Sequence, residues 1–183
     1  MILTEAIIRR VGKEVKNRNY SLFESYTGEC FDKTMVYDLF ISHSFRDKEF
    51  IVGLRYLFEN AGYRVYINWI DDSDLDRENV TFDTAIKIRN RINRSKGLAY
   101  IATRNITHSK WCPWEFGISD GIHGRACILP VMNTNFNGQE YLSLYPYLDY
   151  SKSEYGKDDF CVYDQKTRSN FVVLRRWLNG VEL

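Results

Sequence analysis

Val36-Tyr-Asp-Leu-Phe-Ile-Ser-His-Ser44 is the stretch whose reading decides the fold. Val36 to Ser42 is an apolar run of strand length, and the polar residues after it lead straight into a segment of helical periodicity. There Phe50, Ile51, Leu54, Leu57, Phe58 and Ala61 recur at core-facing spacing, and Gly62 is the expected stop. Ser44 is placed to cap that helix, with Asp47 as its capping-box-like partner.

The same strand-then-helix unit repeats outward. Tyr63–Trp69 reads as a second strand, followed by a polar loop over 71–79 and a helix carrying Phe82, Ala85, Ile88 and Ile92. Leu98–Ala102 is the third strand, and the helix after it should end near Gly121 or Gly124. Ala126–Met132 is the fourth strand and Phe160–Tyr163 the fifth, with a short helix expected near Tyr141–Leu148 between them. A last helix begins near Ser169, presents Phe171, Leu174 and Leu178, and stops at Gly180. This alternation predicts an α/β fold, flavodoxin-like and doubly wound, on a parallel five-stranded sheet.

Composition narrows the partners. The 25 basic and 24 acidic residues nearly cancel, so no global charge argues for nucleic acid or an anionic membrane. Near the amino terminus Leu3, Ile7, Ile8, Val11 and Val15 follow amphipathic helical spacing. Glu5, Arg9, Arg10, Lys13 and Glu14 interrupt any continuous apolar run, so this extra N-terminal helix reads as neither a signal peptide nor a membrane span. Residues 1–35 are expected to form a helical extension, and 36–183 the main domain. Cys30, Cys112, Cys127 and Cys161 lack metal-ligand spacing and fit a reduced, cytoplasmic setting.

Ser109-Lys-Trp-Cys-Pro-Trp-Glu115 carries the chemistry. Trp111, Ile118 and Ile122 share a helical face, and Glu115 falls on it where an apolar residue is expected. An unpaired buried charge is costly, so the carboxylate needs either a local partner and the positive end of the helix dipole or a function. In doubly wound sheets the ligand crevice lies beyond the carboxyl ends of the strands where the winding reverses. Those ends are Ser42-His43-Ser44-Phe45 and Thr103-Arg104-Asn105, and the helix bearing Glu115 starts just after the latter.

The opening strand Tyr37-Asp-Leu-Phe-Ile-Ser-His-Ser44, the strand Gly62-Tyr-Arg-Val-Tyr66 and Ser109-Lys-Trp-Cys-Pro-Trp-Glu115 together resemble a Toll/interleukin-1 receptor (TIR) domain of the bacterial type. The resemblance covers roughly Val36 to Met132. It implies cleavage of NAD+ at the nicotinamide glycosidic bond, with Glu115 as the catalytic carboxylate, NAD+ as substrate and no resident cofactor. By the same resemblance the setting is bacterial antiviral defence or signalling, with self-association through surfaces that include the 71–79 loop and a downstream effector that senses the product. Ser42, His43, Ser44, Phe45, Trp69, Arg104, Trp111 and Trp114 form the expected NAD-binding set.

Competing readings stand beside these. Other TIR domains are non-enzymatic scaffolds, and nucleoside deoxyribosyltransferase-like enzymes share the sheet topology and a catalytic Glu. Phe45 or Trp114 can stack on a base or simply fill core, and His43 can bind a ribose or phosphate oxygen or only pack and cap. Cys112, with His108 four residues earlier, has the spacing of an activated thiol, though Cys is more often a small buried residue. Gly-x-Gly-x-x-Gly and Walker signatures are missing, which disfavours hydride transfer and ATP hydrolysis. Asp72, Asp74 and Asp76 imitate a calcium loop, yet Arg77 replaces its required Gly and Asp83 its terminal Glu, so a solvated loop is expected. Lys87, Arg89, Arg91, Arg94 and Lys96 read as a solvated basic face, or as one that meets an acidic partner surface.

Overall fold

The structure, a computed structural model, describes residues 3–18, 35–72, 81–131, 140–152, 158–166 and 169–183. In chain order these form α1 (Glu5–Arg18), β1 (Tyr37–Ser42), α2 (Lys48–Asn60), β2 (Val65–Tyr66), α3 (Asn68–Asp71), α4 (Phe82–Asn93) and β3 (Ser95–Ala102). Then follow α5 (Trp111–His123), β4 (Ala126–Pro130), β5 (Tyr147–Lys152), β6 (Asp158–Tyr163), β7 (Phe171–Val173) and α6 (Leu174–Leu178). Short 3-10 turns lie at Phe45–Asp47, Ile106–His108 and Glu140–Leu144.

One sheet holds the strands in the order β2-β1-β3-β4-β5-β6-β7. β1 is an inner strand, next to the edge, and parallel to both β2 and β3, and the parallel register continues through β4 to β5. The winding therefore reverses between β1 and β3, as expected. Two antiparallel strands, β6 and β7, extend the sheet, so it has seven strands rather than five. The expected fifth strand is β6, and the parallel fifth position belongs to β5.

Alternation along the strands assigns two cores. Leu39 and Ile41 of β1, Ala99 and Ile101 of β3, and Cys127 and Leu129 of β4 join one cluster with α1, α2 and α6. Phe40, Leu98, Tyr100, Ala102, Ala126 and Ile128 face the other way, onto Ile88 and Ile92 of α4 and Cys112 and Phe116 of α5. The period of two thus places Ser42, two residues after Phe40, on the α4/α5 face.

α1 belongs to the first cluster through Ile8, and Leu3, just before the helix, joins the same cluster. It crosses α2 where two glycines meet: a Cβ on Gly53 would sit 2.3 Å from the Ile8 carbonyl oxygen and 2.8 Å from the Gly12 nitrogen. The Leu3 amide also donates to Asp149 Oδ1 at 3.1 Å, tying the helix to β5.

Several expected elements differ. The second strand shortens to Val65–Tyr66, because it is the sheet edge and Asn68 turns the chain into α3, its side-chain oxygen accepting from the Trp69 amide at 2.8 Å. Trp69 is consequently helical. The segment near 141–148 forms a 3-10 turn and then β5, and Phe171 begins a strand, with helix α6 starting only at Leu174. Ser44 is not a helix cap: α2 starts after Asp47, with no side-chain cap bond. Phe82 is 79% exposed rather than core-facing, as the first residue after the Thr81 cap. Met132, Cys30 and the loop from 73 to 80 lie outside the described residues.

Candidate active site

Three strand ends and one helix build the site. α5 is started by Ser109, whose hydroxyl accepts from the Cys112 amide at 3.2 Å, and Pro113 sits in its first turn, where an amide has no intrahelical partner. Its buried residues are Cys112, Glu115, Phe116 and Ser119, while Ile122 is 47% exposed. The buried stripe is therefore rotated from the expected Trp111/Ile118/Ile122 face, and Glu115 belongs to both. Glu115 is 0% exposed, and Ser42 Oγ donates to its Oε2 at 2.7 Å.

The residue after Ser42 is fixed on three sides. His43 Nδ1 lies 2.9 Å from the Ile41 carbonyl, which can only accept, so Nδ1 carries the proton. Nε2 then accepts from the Trp69 indole N–H at 3.0 Å, which defines a neutral imidazole of one tautomer. The His43 carbonyl accepts from Cys112 Sγ at 3.2 Å. Both His43 nitrogens thus serve to hold Trp69 and β1, and the Cys112 thiol, fully buried, is a structural donor with its proton in place.

A second bridge closes the switch point from the side. Asp47 accepts from Thr103 Oγ1 and from Asn105 Nδ2, each at 2.6 Å, clamping the loop after β1 to the loop after β3. Sequence reading missed this role because Asp47 matched a helix cap. Leu142, in the 3-10 turn before β5, is fully buried in the cluster that holds Cys112 and Phe116. Tyr145 follows it with a 2.7 Å bond to Asp120 of α5, which, with burial, raises its phenol to about 12.

The other expected residues distribute around this centre. Phe45 is 51% exposed, just beyond Ser44, whose own hydroxyl accepts from the Arg46 amide at 3.4 Å. Trp111 and Trp114 are half-buried and meet edge to face with centroids 5.3 Å apart. Arg104 is exposed. An open cavity of about 600 Å³ lies instead at the far end of β1, lined by Asp38, Arg64, Lys96 and Arg175 among others, and holds none of these residues.

The 71–79 loop begins on a buried base, so Asp72 departs from the expected solvated loop, while Asp74 and Asp76 lie outside the described residues. Asp71 accepts from the Ile67 amide at 2.6 Å and faces Arg55, and Asp72 is paired with Arg91. Asp72 is thereby a structural anchor. Arg91 leaves the basic face expected on α4, and Lys96 pairs with Asp38 at 2.8 Å, while Arg89 and Arg94 are exposed. Among the described residues no group of three or more His, Cys, Asp or Glu side chains is placed to hold a metal ion, and no helix is long and apolar enough to cross a membrane.

A doubly wound α/β sheet with a buried carboxylate at its switch point is the class that these observations define. The TIR domain family matches residues 39–161, more than half of the chain, and the protein belongs to that family.

Two bacterial proteins are similar to this chain over part of its length. One, "Probable 3′ cyclic ADP-D-ribose synthase ThsB′" of Bacillus cereus (strain MSX-D12), is 46% identical over 122 residues, covering 64% of this chain and 63% of the relative. The other, TIR2 of Cytobacillus dafuensis, named as a candidate cyclic ADP-D-ribose synthase, is 36% identical over 85 residues, covering 46% of this chain and 22% of the relative. The matches thus span less than two thirds of either relative's length. Among solved structures, the TIR domain of the Toll-related receptor TRR-2 from Hydra magnipapillata aligns with a TM-score of 0.44 and 20% identity, over 56% of this chain and 79% of that one.

Proposed function

We propose that this protein cleaves the bond between nicotinamide and ribose in NAD+, releasing nicotinamide together with ADP-ribose or a cyclic isomer of it. The observation that carries the reading is Glu115, a carboxylate that Ser42 Oγ holds at 2.7 Å at the carboxyl end of β1, beside the reversal of winding. The likeness to two bacterial proteins named as cyclic ADP-D-ribose synthases supports it.

The chemistry fits one carboxylate. The electrons of the C1′–N bond leave with nicotinamide, which departs neutral and needs no general acid. Positive charge grows on the ribose, and a fixed anion opposes it at the moment it forms. Water, a ribose hydroxyl or an adenine nitrogen then donates an electron pair to C1′, and a proton is released. NAD+ is the substrate and no resident cofactor takes part. Phe45, Trp69, Trp111 and Trp114 offer rings to stack on the bases, Ser44 and Arg104 line the polar approach, and Ser42 and His43 stand behind it, bonded to Glu115 and Trp69.

Within this reading, residues 1–35 form an extension of the domain, the protein acts in the bacterial cytoplasm in antiviral defence or signalling, and copies associate through surfaces that include the 71–79 loop. A downstream effector senses the product. A non-enzymatic scaffold is the second reading, and the absence of any solvent exposure at Glu115 favours it.

Incubation with NAD+, beside incubation with deoxynucleosides and a free base, separates the classes by chromatography and mass spectrometry. Nicotinamide release is the expected result. Base exchange instead would assign a deoxyribosyltransferase, and silence from folded protein at high concentration would leave the scaffold.

A further inference from the structure

The geometry points to Ser42 as the positioning residue of Glu115: its hydroxyl sets the orientation of the carboxylate, and its effect on the reaction passes through that carboxylate rather than through the nucleotide. The inference rests on the NAD-cleaving reading above and deepens it.

Ser42 is the last residue of β1, stands opposite Tyr100 in the parallel register with β3, and is fully buried. Its Oγ lies 2.7 Å from Glu115 Oε2, the length of a good hydroxyl-to-oxygen bond. Both ends of this bond are held. On one side His43 is pinned to Ile41, to Trp69 and to Cys112, so the tip of β1 cannot swing. On the other, Glu115 stands one turn after Cys112, which is bonded to that same tip, so the helix and the strand are fastened at two adjacent points.

A carboxylate on three rotatable side-chain bonds loses most of its electrostatic advantage if it must reorient during the reaction, and a neighbouring hydroxyl fixed by the fold removes that freedom. Ser42 lies as deep as Glu115 itself, with its hydroxyl already given to the carboxylate. A hydroxyl that bound NAD+ directly would alter KM; one that aims Glu115 alters kcat.

The test compares wild type, Ser42→Ala, Ser42→Thr, Glu115→Gln and the Ser42→Ala/Glu115→Gln double variant in nicotinamide release, each checked for folding by thermal unfolding. Expected for Ser42→Ala is a kcat lower by about tenfold to a hundredfold, with KM within roughly twofold. Threonine, which keeps the hydroxyl, should restore most of the rate. In the Glu115→Gln background the alanine should cost less than about twofold, because the group it positions is already gone. An unchanged kcat, a raised KM at constant kcat, or a full loss repeated in the Gln background would each overturn the assignment. Wild-type protein that releases no nicotinamide would instead sink the NAD-cleaving reading itself. A crystal structure of Ser42→Ala asks the same question without turnover: a changed Glu115 rotamer is expected, and an unchanged one would count against the role.

Discussion

Arg91 grips both oxygens of Asp72, with Nε 2.7 Å from Oδ2 and Nη2 3.0 Å from Oδ1, while the Tyr66 hydroxyl donates to Oδ2 at 2.7 Å. The pair joins α4 to the chain just beyond α3, at the start of the 71–79 loop. Burial, followed by the Asp72 charge, holds the Tyr66 phenol well above its ordinary range. Removing the cation leaves a carboxylate with little access to water, so Arg91→Met should cost about 3 kcal/mol. Tyr66→Phe loses one hydrogen bond, about 1 kcal/mol. Denaturant unfolding measures both, and an Arg91→Met change within about 0.5 kcal/mol of wild type, the size of an ordinary surface substitution, would dissolve this anchor.

The crossing of α1 over α2 makes Gly53 a test whose sign is informative. An alanine in an exposed helix interior stabilises by roughly 0.5–1 kcal/mol over glycine. Here the new methyl would meet backbone, 2.3 Å from the Ile8 oxygen, and backbone cannot rotate aside. Gly53→Ala should therefore lower stability by about 1–3 kcal/mol, and deletion of residues 1–18 should lower Tm as well. A stabilised Gly53→Ala protein would show that α1 does not rest on α2.

Glu115→Gln should keep the fold and lose nicotinamide release by at least about a hundredfold, the size of one lost electrostatic contact to a transition state. Cys112→Ser should keep most activity, since a serine hydroxyl can still donate to the His43 carbonyl that Cys112 Sγ reaches at 3.2 Å. A loss in the serine variant as large as in the Gln variant would return the thiol to the mechanism.

At the far end of β1, Asp38 has a carboxyl below its ordinary range. Burial acts to raise it, but the Arg64 amide and the Lys96 ammonium, at 3.0 and 2.8 Å, outweigh that effect. A depressed folded value means stability that is complete above the unfolded value near pH 4 and fades as pH falls through the folded one. Because Lys96 is 42% exposed in its side chain, the contribution is no more than about 1 kcal/mol. Asp38→Asn should remove it at neutral pH and flatten the acid side of a stability curve; identical curves for the two proteins would refute the pairing.

How much of this was legible beforehand depended on whether the signal was local. β3 and β4 showed in sequence, as Leu98–Ala102 and Ala126–Met132, because both faces of an inner strand are covered and the apolar run is continuous. Glu115 showed because a carboxylate broke an apolar face. β5 did not: its alternation of Leu148 and Tyr150 with Tyr147 and Asp149 sits in a Tyr-rich stretch, and its register with β4 is a single pair, Ile128 with Tyr147. Phe171, Leu174 and Leu178 fit helical spacing, yet Phe171 to Val173 pair with β6, so a tertiary partner overrode the local pattern. The Asp47 bridge spans 56 residues to Thr103, and no local pattern can announce it.

Assembly should govern activity. Glu115 has no exposure in the single chain, and the loop that starts at Asp71 and Asp72 leaves from a base that Arg55 and Arg91 hold still. A rigid base gives a neighbouring copy a fixed surface against which to register, and docking there can move the site into its open, substrate-ready form while excluding bulk water. Exclusion of water would in turn strengthen the Glu115 carboxylate against the charge that develops on ribose. Specific activity should therefore rise with protein concentration, and charge reversal at Asp74 and Asp76, which the sequence places in this loop, should weaken association and turnover together. Turnover per subunit measured across a dilution series, with light scattering on the same samples, decides the matter. Constant activity through complete dissociation to monomers would mean that a single chain opens and completes its own site, and that the loop serves another purpose.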